Sequence, residues 1–174
     1  VPHAVSAGIG NLKVVAYSGQ AESGQHWVYM DIHEGSYGGR FGKDGLDAVD
    51  TLYANTRNNP IEDIESHYPL RVTRYELNEN TGGRGKWRGG LGSVRDIELL
   101  ADGGFSLEGD GVLHPPPGLF GGEPGSPGGV VVYGDGVEQP LASKFPYRKA
   151  RKGDRLSLIG PSGGGYGDPA ERDP

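Results

Sequence analysis

Apolar residues occur along the chain in short runs that are separated by glycine- and proline-rich segments. The clearest run is HWVYMDIH (26–33), where apolar and polar side chains alternate with the period of two that is typical of a β-strand. One face of this strand, which we predict to point into the core, carries Val28, Met30 and Ile32. The opposite face, which is then free to line a cleft, carries Trp27, Tyr29, Asp31 and His33.

The other apolar runs predict further short strands and very little helix. Strands are expected at residues 12–17, 70–77, 93–100 and 155–160, with a hairpin over 130–141 that turns at Asp135-Gly136. The segment 46–55 (LDAVDTLYAN) is compatible with either a helix or a strand. Residues 114–129 (HPPPGLFGGEPGSPGG) are incompatible with both.

One short helix is predicted after Asn59. Asn59 is a favourable N-cap residue, and Pro60 fits the first helical position. Pro69 must end this helix, because the residue before a proline avoids helical backbone angles. Together these elements predict a β-rich α+β fold with many short strands, glycine-rich loops and one or two short helices.

The glycine and proline content tests this interpretation. The chain has 33 glycines and 13 prolines among 174 residues, a level at which low-complexity disorder must be considered. We reject disorder, because the glycines cluster between apolar runs, as they do in tight turns. We predict one β-rich domain over residues 1–174. Since the chain starts at Val1 and ends in GDPAERDP, we expect it to be a fragment or a processed part of a larger subunit.

Charge and cysteine content exclude several classes of function. The formal net charge of −6 argues against a general nucleic-acid binder, which needs a basic surface. The chain has no cysteine, so it forms neither disulfides nor thiolate metal sites. No apolar run approaches the length of a membrane span and no signal peptide is visible. We therefore expect a cytoplasmic protein without a membrane partner.

The best candidates for acid/base chemistry stand at the end of the 26–33 strand. Asp31 and His33 share a strand face, and Glu34 follows at the border of a glycine-rich loop, residues 35–45. Two ligands do not complete a metal site, so we predict no metal here and favour a hydrogen-bonded pair. We assign Asp31, His33 and Glu34 as the candidate catalytic residues.

A polar cluster before the predicted helix is the candidate substrate-binding segment. Arg57 is flanked by Asn55 and Asn58, and an arginine can hold a carboxylate through two parallel hydrogen bonds. Pinning of the loop by Arg57 is an equally good interpretation. We assign Asn55, Arg57 and Asn58, together with Arg40 of the glycine-rich loop, to substrate binding.

Two glycine motifs are given structural interpretations. Residues 160–164 (GPSGG) match the G-x-S-x-G elbow of hydrolases, but GGGYGDP (163–169) follows the serine where a helix is required, so we predict a turn. Residues 82–90 (GGRGKWRGG) lack the Walker pattern, and we favour a solvated hairpin over an anion-binding nest. We predict no ATP site in this chain.

Several blocks in order carry a family resemblance. They are NTRNNPIEDIESHYPLRVTRYEL (55–77), the glycine block 82–92, PPPGLFGGEPG (115–125) and GGGYGDPAERDP (163–174). This pattern resembles the hydantoinase B/oxoprolinase family, and the chain is similar to the C-terminal part of its B-type subunits. The stretch HEGSYGGRFG (33–42) departs from the plainer glycine-rich stretch of many relatives.

The resemblance implies a function that cannot be inferred from the individual residues alone. B-type subunits work with a hydantoinase A-type subunit that carries ATP and Mg, and the pair opens cyclic amides such as hydantoins and 5-oxoproline. Related assemblies carboxylate acetone or acetophenone. A divalent metal would lie in the rest of the B-type subunit, so this chain is expected to hold no cofactor. The expected partners are the A-type subunit, the rest of the B-type subunit and a small-molecule substrate. Cyclic-amide hydrolase, ketone carboxylase and non-catalytic scaffold remain open.

Overall fold

The computed structural model describes residues 4–10, 13–21, 23–51 and 54–173 of the chain. Within these ranges the elements are β1 (Lys13–Gln20), β2 (His26–His33), α1 (Ile61–His67), β3 (Leu70–Leu77), β4 (Ser93–Leu99), β5 (Gly103–Glu108), β6 (Gly129–Gly134), β7 (Val137–Pro140), β8 (Lys144–Ala150), β9 (Arg155–Ile159) and a 3-10 turn (Pro169–Glu171). The predicted β-rich α+β fold is confirmed.

The strands form two antiparallel sheets around one shared core. The first sheet has the order β2-β1-β5-β8, and the second has the order β3-β4-β9-β6-β7. Residues from both sheets bury their apolar side chains in one cluster, for example Tyr17 and Phe105 from the first sheet with Ile97 and Leu158 from the second. Helix α1 adds Ile64 to the same cluster.

Most of the predicted strands are confirmed within one or two residues. The hairpin turn is confirmed as well, since Asp135 and Gly136 have φ angles of 50° and 74°, which tight two-residue hairpin turns require. Strands β5 and β8 were not predicted, because GGFSLE starts with two glycines and KFPYRKA is basic and contains a proline. The predicted strand residue Leu12 lies outside the described residues, as do Leu52 and Tyr53 of the ambiguous segment.

The start of α1 differs from the prediction. Pro60 occupies the N-cap position with φ −56° and ψ 139°, and the helix begins at Ile61. The side chain of Asn59 instead donates to a carboxylate oxygen of Asp63 at 2.9 Å. The prediction that Asn59 caps the helix was therefore wrong by one residue. Pro69 follows the extended Tyr68 that ends the helix, as predicted.

The orientation of β2 is the reverse of the predicted one. Val28 and Met30 are exposed, whereas Tyr29, Asp31 and His33 are buried. The prediction that the aliphatic face points into the core was wrong. Tyr29 stacks on Tyr17 and contacts the tilted ring of Tyr68 inside the core, and the polar groups beside Tyr29 find partners on β4.

The glycine-rich coil segments pack backbone against backbone. We call residues 35–45, 82–92, 115–128 and 160–167 the glycine layer. Gly39 donates to the carbonyl of Gly164 at 2.8 Å, and Gly83 donates to that of Gly163 at 2.8 Å. A Cβ atom on Gly89 would lie 1.7 Å from the carbonyl oxygen of Gly163. The glycines of 82–90 are largely buried here, so the predicted solvated hairpin was wrong.

Candidate functional site

A buried ionic cluster connects β2 with β4. Arg95 of β4 is 3% exposed, and its guanidinium donates to the carboxylate of Asp31 and, at 3.1 Å, to that of Glu34. The hydroxyl of Ser93 donates to the other oxygen of Glu34 at 3.1 Å. We call Asp31, Glu34, Ser93 and Arg95 the Arg95 cluster. Burial works against the charge of the guanidinium, but Asp31 and Glu34 outweigh it and raise the pKa of Arg95.

Sequence analysis missed Arg95, although one signal marks it. In β4, Arg95 shares a strand face with Ile97 and Leu99, both of which are fully buried. A charged residue at an inward position needs a partner of opposite charge, because an unpaired buried charge is very unfavourable. Its partners Asp31 and Glu34 lie at the end of β2 and directly after it, about 60 residues earlier in the chain, and nothing local points to them.

His33 is separated from solvent. Its side chain is 0% exposed, and Nε2 donates to the carbonyl oxygen of Ser93 at 3.2 Å. Nδ1 lies 3.9 Å from the carboxylate of Glu34. Burial lowers the pKa of His33 well below its usual value, and the nearby charges of Lys13 and Arg95 lower it further. His33 is therefore neutral at pH 7 and does not face the cleft described below, so its predicted acid/base role gains no geometric support.

A second buried cation lies opposite His33 across the β1–β2 pair. Lys13 is 1% exposed, and its Nζ donates to the carbonyl oxygen of Ile159 at 2.6 Å and to that of Gly129 at 3.3 Å. These two carbonyls belong to the second sheet, so the lysine connects the two sheets. Burial lowers the pKa of Lys13 to about 8.

A cleft of about 760 Å³ runs along β2, and we call it the β2 cleft. Candidate residues from two distant parts of the sequence line it together: Asp31, Glu34, Asn55, Arg57 and Asn58. Arg40 is the exception among the predicted binding residues. It is exposed and lines a separate hollow of about 310 Å³ with Tyr37 and Asp44. The structure thus brings five of the seven predicted site residues to one cleft.

Residues 55–59 form one lip of the β2 cleft. Asn55 has a φ of 47°, a left-handed conformation that asparagine tolerates better than most residues. The side-chain amide of Asn58 donates to the hydroxyl of Tyr75, whose ring covers the guanidinium of Arg95 at 4.4 Å. Arg57 is exposed and, among the described residues, forms no ion pair. The lip therefore presents amide and guanidinium donors to the cleft.

The remaining motifs are structural. Ser162 is fully buried; its Oγ lies 2.6 Å from Thr81 Oγ1 and accepts from Gly92 N at 3.0 Å, as expected for a turn and not for a nucleophile. Arg88 is held by both carboxylate oxygens of Asp47, at 2.8 and 3.1 Å. Over the described part of the chain, no three His, Asp or Glu side chains converge as metal ligands would.

The comparison with protein families decides the assignment. The profile described as "Hydantoinase B/oxoprolinase" matches residues 1–169. The chain belongs to the hydantoinase B/oxoprolinase family. A Pseudomonas sp. (strain NS671) protein, provisionally named as the B-type subunit of a D-/L-hydantoinase, is 60% identical over 176 residues, which cover 100% of this chain. The chain spans 30% of the length of that relative.

Two solved structures share the fold of the present chain. ATP-dependent caprolactamase from Pseudomonas jessenii superposes with a TM-score of 0.80 at 21% identity, over 97% of this chain and 31% of that chain. Acetone carboxylase in a nucleotide-free structure gives a TM-score of 0.74 at 18% identity, over 92% of this chain and 26% of that chain. In both enzymes the matched fold is a minor part of a longer polypeptide. No helix in the described ranges is long and apolar enough to cross a membrane.

Proposed function

We propose that this chain is part of the B-type subunit of an ATP-dependent cyclic-amide hydrolase that opens hydantoin or 5-oxoproline rings. The 60% identity to a protein named as the B-type component of a hydantoinase carries the proposal. The fold shared with an ATP-dependent caprolactamase agrees with it, since caprolactam is also a cyclic amide. ATP and Mg are assigned to an A-type partner subunit, and any divalent metal is assigned to the rest of the B-type subunit.

In this proposal the β2 cleft contacts the substrate through its 55–59 lip. The side chains of Asn55 and Asn58 can pair with the N–H and C=O groups of a cyclic amide, and the guanidinium of Arg57 suits the carboxylate that ring opening releases. Tyr75 holds Asn58 in place through its hydroxyl. Binding at this lip would orient the ring for a reaction whose ATP-dependent step takes place on the partner.

The Arg95 cluster has a positioning role in this scheme. Asp31 and Glu34 line the cleft, and both carboxylates form an ion pair with the single guanidinium of Arg95. These charge-assisted hydrogen bonds hold both carboxylates against Arg95 of β4. We therefore assign Asp31 and Glu34 to shaping the cleft wall and to its electrostatic balance, and we leave proton transfer to residues outside this chain.

A scaffold function is the second candidate, and a specific observation favours it. His33 is buried outside the cleft, and the carboxylates of Asp31 and Glu34 are both bound by Arg95, so none of these three candidate residues presents an unpaired side chain to the cleft. The scaffold would cover the active site and bind the A-type subunit. A ketone carboxylase, the third possibility, rests on a shared fold at 18% identity and on the HEGSYGGRFG loop.

The test uses the complete assembly of A-type and B-type subunits. ATP turnover is measured with hydantoin or 5-oxoproline, and separately with acetone plus bicarbonate. Stimulation by the cyclic amide without bicarbonate is the expected result; stimulation only by ketone with bicarbonate would make the protein a carboxylase. Arg57→Ala and Asn58→Ala should raise KM for the cyclic amide at least about five-fold, a loss of roughly 1 kcal/mol of binding.

A matched substitution separates the hydrolase and scaffold functions. Arg71 is an exposed arginine on β3 that does not line the cleft, so Arg71→Ala should leave KM unchanged. If Arg57→Ala, Asn58→Ala and Arg71→Ala all retain wild-type KM and kcat in an intact assembly, the lip does not bind substrate. The scaffold function would then be the correct one.

A further inference from the structure

The outer face of β2 is an exposed apolar surface. Val28 is 64% exposed and Met30 is 67% exposed, and the half-buried Ile32 continues the same row. Their cross-strand partners on β1 are also uncharged: Ser18 faces Val28, Ala16 faces Met30, and Val14 faces Ile32. We call these six residues the outer β2 face.

This surface differs from the solvent-facing side of an ordinary antiparallel sheet. Such a sheet buries one face and presents polar residues to water on the other. The inner face of β2 packs against the core, and its outer face is aliphatic where polar residues would be expected. An apolar outer face is typical of sheets that are covered on both sides. The composition of β2 therefore indicates that a further layer lies over it.

The edge of β2 supports the same conclusion. The strand stands at the end of its sheet and pairs with β1 over eight residues without a register shift. No described strand pairs with its other side. Natural proteins protect long, regular edges with bulges, prolines or charges, or they cover them. The only charged side chain in β2 is that of Asp31, which points inward to Arg95.

The related chains are long enough to supply a layer over this face. The fold of this chain makes up 30% of the D-/L-hydantoinase relative and 31% of the caprolactamase chain, so most of each polypeptide lies outside it. Met30 and Ile32 belong both to the outer β2 face and to the lining of the β2 cleft. A layer placed on this face therefore also forms a wall of the cleft.

We propose that the remainder of the B-type subunit packs against the outer β2 face and closes the β2 cleft. This inference rests on one part of the proposed function, namely that the chain belongs to a B-type subunit. In this arrangement the lip and floor of the cleft come from this chain, and the opposite wall comes from the covering layer. The free proton-transfer groups would then enter from that wall.

The test measures the accessibility of this face in the complete B-type subunit. This chain contains no cysteine, so single cysteines at Val28→Cys and Met30→Cys report on the face, and mass spectrometry locates the label. Val137→Cys is the matched control, because Val137 is 62% exposed on β7, an edge strand of the other sheet. For each cysteine, the rate of the maleimide reaction in the folded subunit is divided by its rate in urea. We expect the two β2 cysteines to be protected at least ten-fold more strongly than the control.

A second measurement needs no substitution. Met30 is the only methionine of the chain, and its oxidation by hydrogen peroxide depends on exposure. In the complete B-type subunit its sulfoxide should form at least about five-fold more slowly than in urea. Slow oxidation together with slow labelling at Val28→Cys would support the proposal even if one of the cysteine variants fails to fold.

Other outcomes would overturn the proposal in distinct ways. Protection that appears only after the A-type subunit is added would assign the face to that partner. Protection that is lost on dilution would assign it to a second copy of the B-type subunit. If Val28→Cys is labelled as fast in the folded subunit as in urea, the face is exposed to solvent and the proposal is wrong. None of these measurements uses catalysis, so failure of the hydrolase assay leaves this test unaffected.

Discussion

Replacing Arg95 by methionine would remove the cation on which the interior of the site depends. Methionine keeps a similar length but leaves the carboxylates of Asp31 and Glu34 buried without a guanidinium. Removal of one partner from a buried ion pair typically costs about 3–5 kcal/mol. Because Arg95 serves two carboxylates and is 3% exposed, we expect a loss near the middle of that range, about 4 kcal/mol in the free energy of unfolding at pH 7.

The loss should depend on pH in a specific direction. At pH 7 the unfolded variant carries two solvated carboxylates, whereas the folded variant must bury them uncompensated or take up protons. Near pH 4, where free carboxyl groups become protonated, this difference fades. The deficit of Arg95→Met relative to wild type should therefore shrink as the pH falls from 7 to 4. Urea titrations followed by tryptophan fluorescence, at both pH values, measure it.

An exposed arginine on the adjacent strand provides the control. Arg74 pairs with Glu76 at the surface of β3, so Arg74→Met should cost no more than about 1 kcal/mol. A further variant carrying Asp31→Asn and Glu34→Gln together with Arg95→Met should recover part of the lost stability. If Arg95→Met is no worse than Arg74→Met, or its deficit is the same at pH 4 and pH 7, our account of the cluster is wrong.

Three further predictions concern the glycine layer, the buried lysine and the lip. Gly89→Ala would place its Cβ 1.7 Å from a backbone carbonyl oxygen and should cost about 3 kcal/mol or more in a urea titration, whereas Gly10→Ala, with no atom within 4 Å of its Cβ, should be nearly neutral. Burial lowers the pKa of Lys13 from 10.5 to about 8, so the unfolded chain binds more protons than the folded chain between these pH values. The free energy of unfolding should therefore rise by about 3 kcal/mol over that pH window. The Lys13→Met variant should lose this rise, and an unchanged slope in the variant would refute the assignment of the pH dependence to Lys13. Tyr75→Phe removes the hydroxyl that accepts from Asn58 and should speed amide hydrogen exchange at residues 55–59; equal exchange rates would show that the lip is held by other contacts.

The alternation in β2 shows what local sequence signals can and cannot predict. Alternation in HWVYMDIH predicted a strand with two different faces, and this is correct, but alternation alone does not state which face is inward. The aliphatic face looked like the core face. In the folded chain β4 presents Arg95 to the opposite face, so Asp31 becomes a buried partner and the aliphatic residues are left outside. A contact between residues 64 positions apart decided this.

The sequence by itself determined the β-rich fold class, most strand positions, the hairpin turn and the family. These depend on neighbouring residues or on ordered motifs, which a sequence displays directly. Only the tertiary structure decided the orientation of β2, the exclusion of His33 and Arg40 from the cleft, and the packing of the glycine layer. These features depend on which segments meet in space, and each meeting involves backbone or charged groups that must find partners once water is excluded.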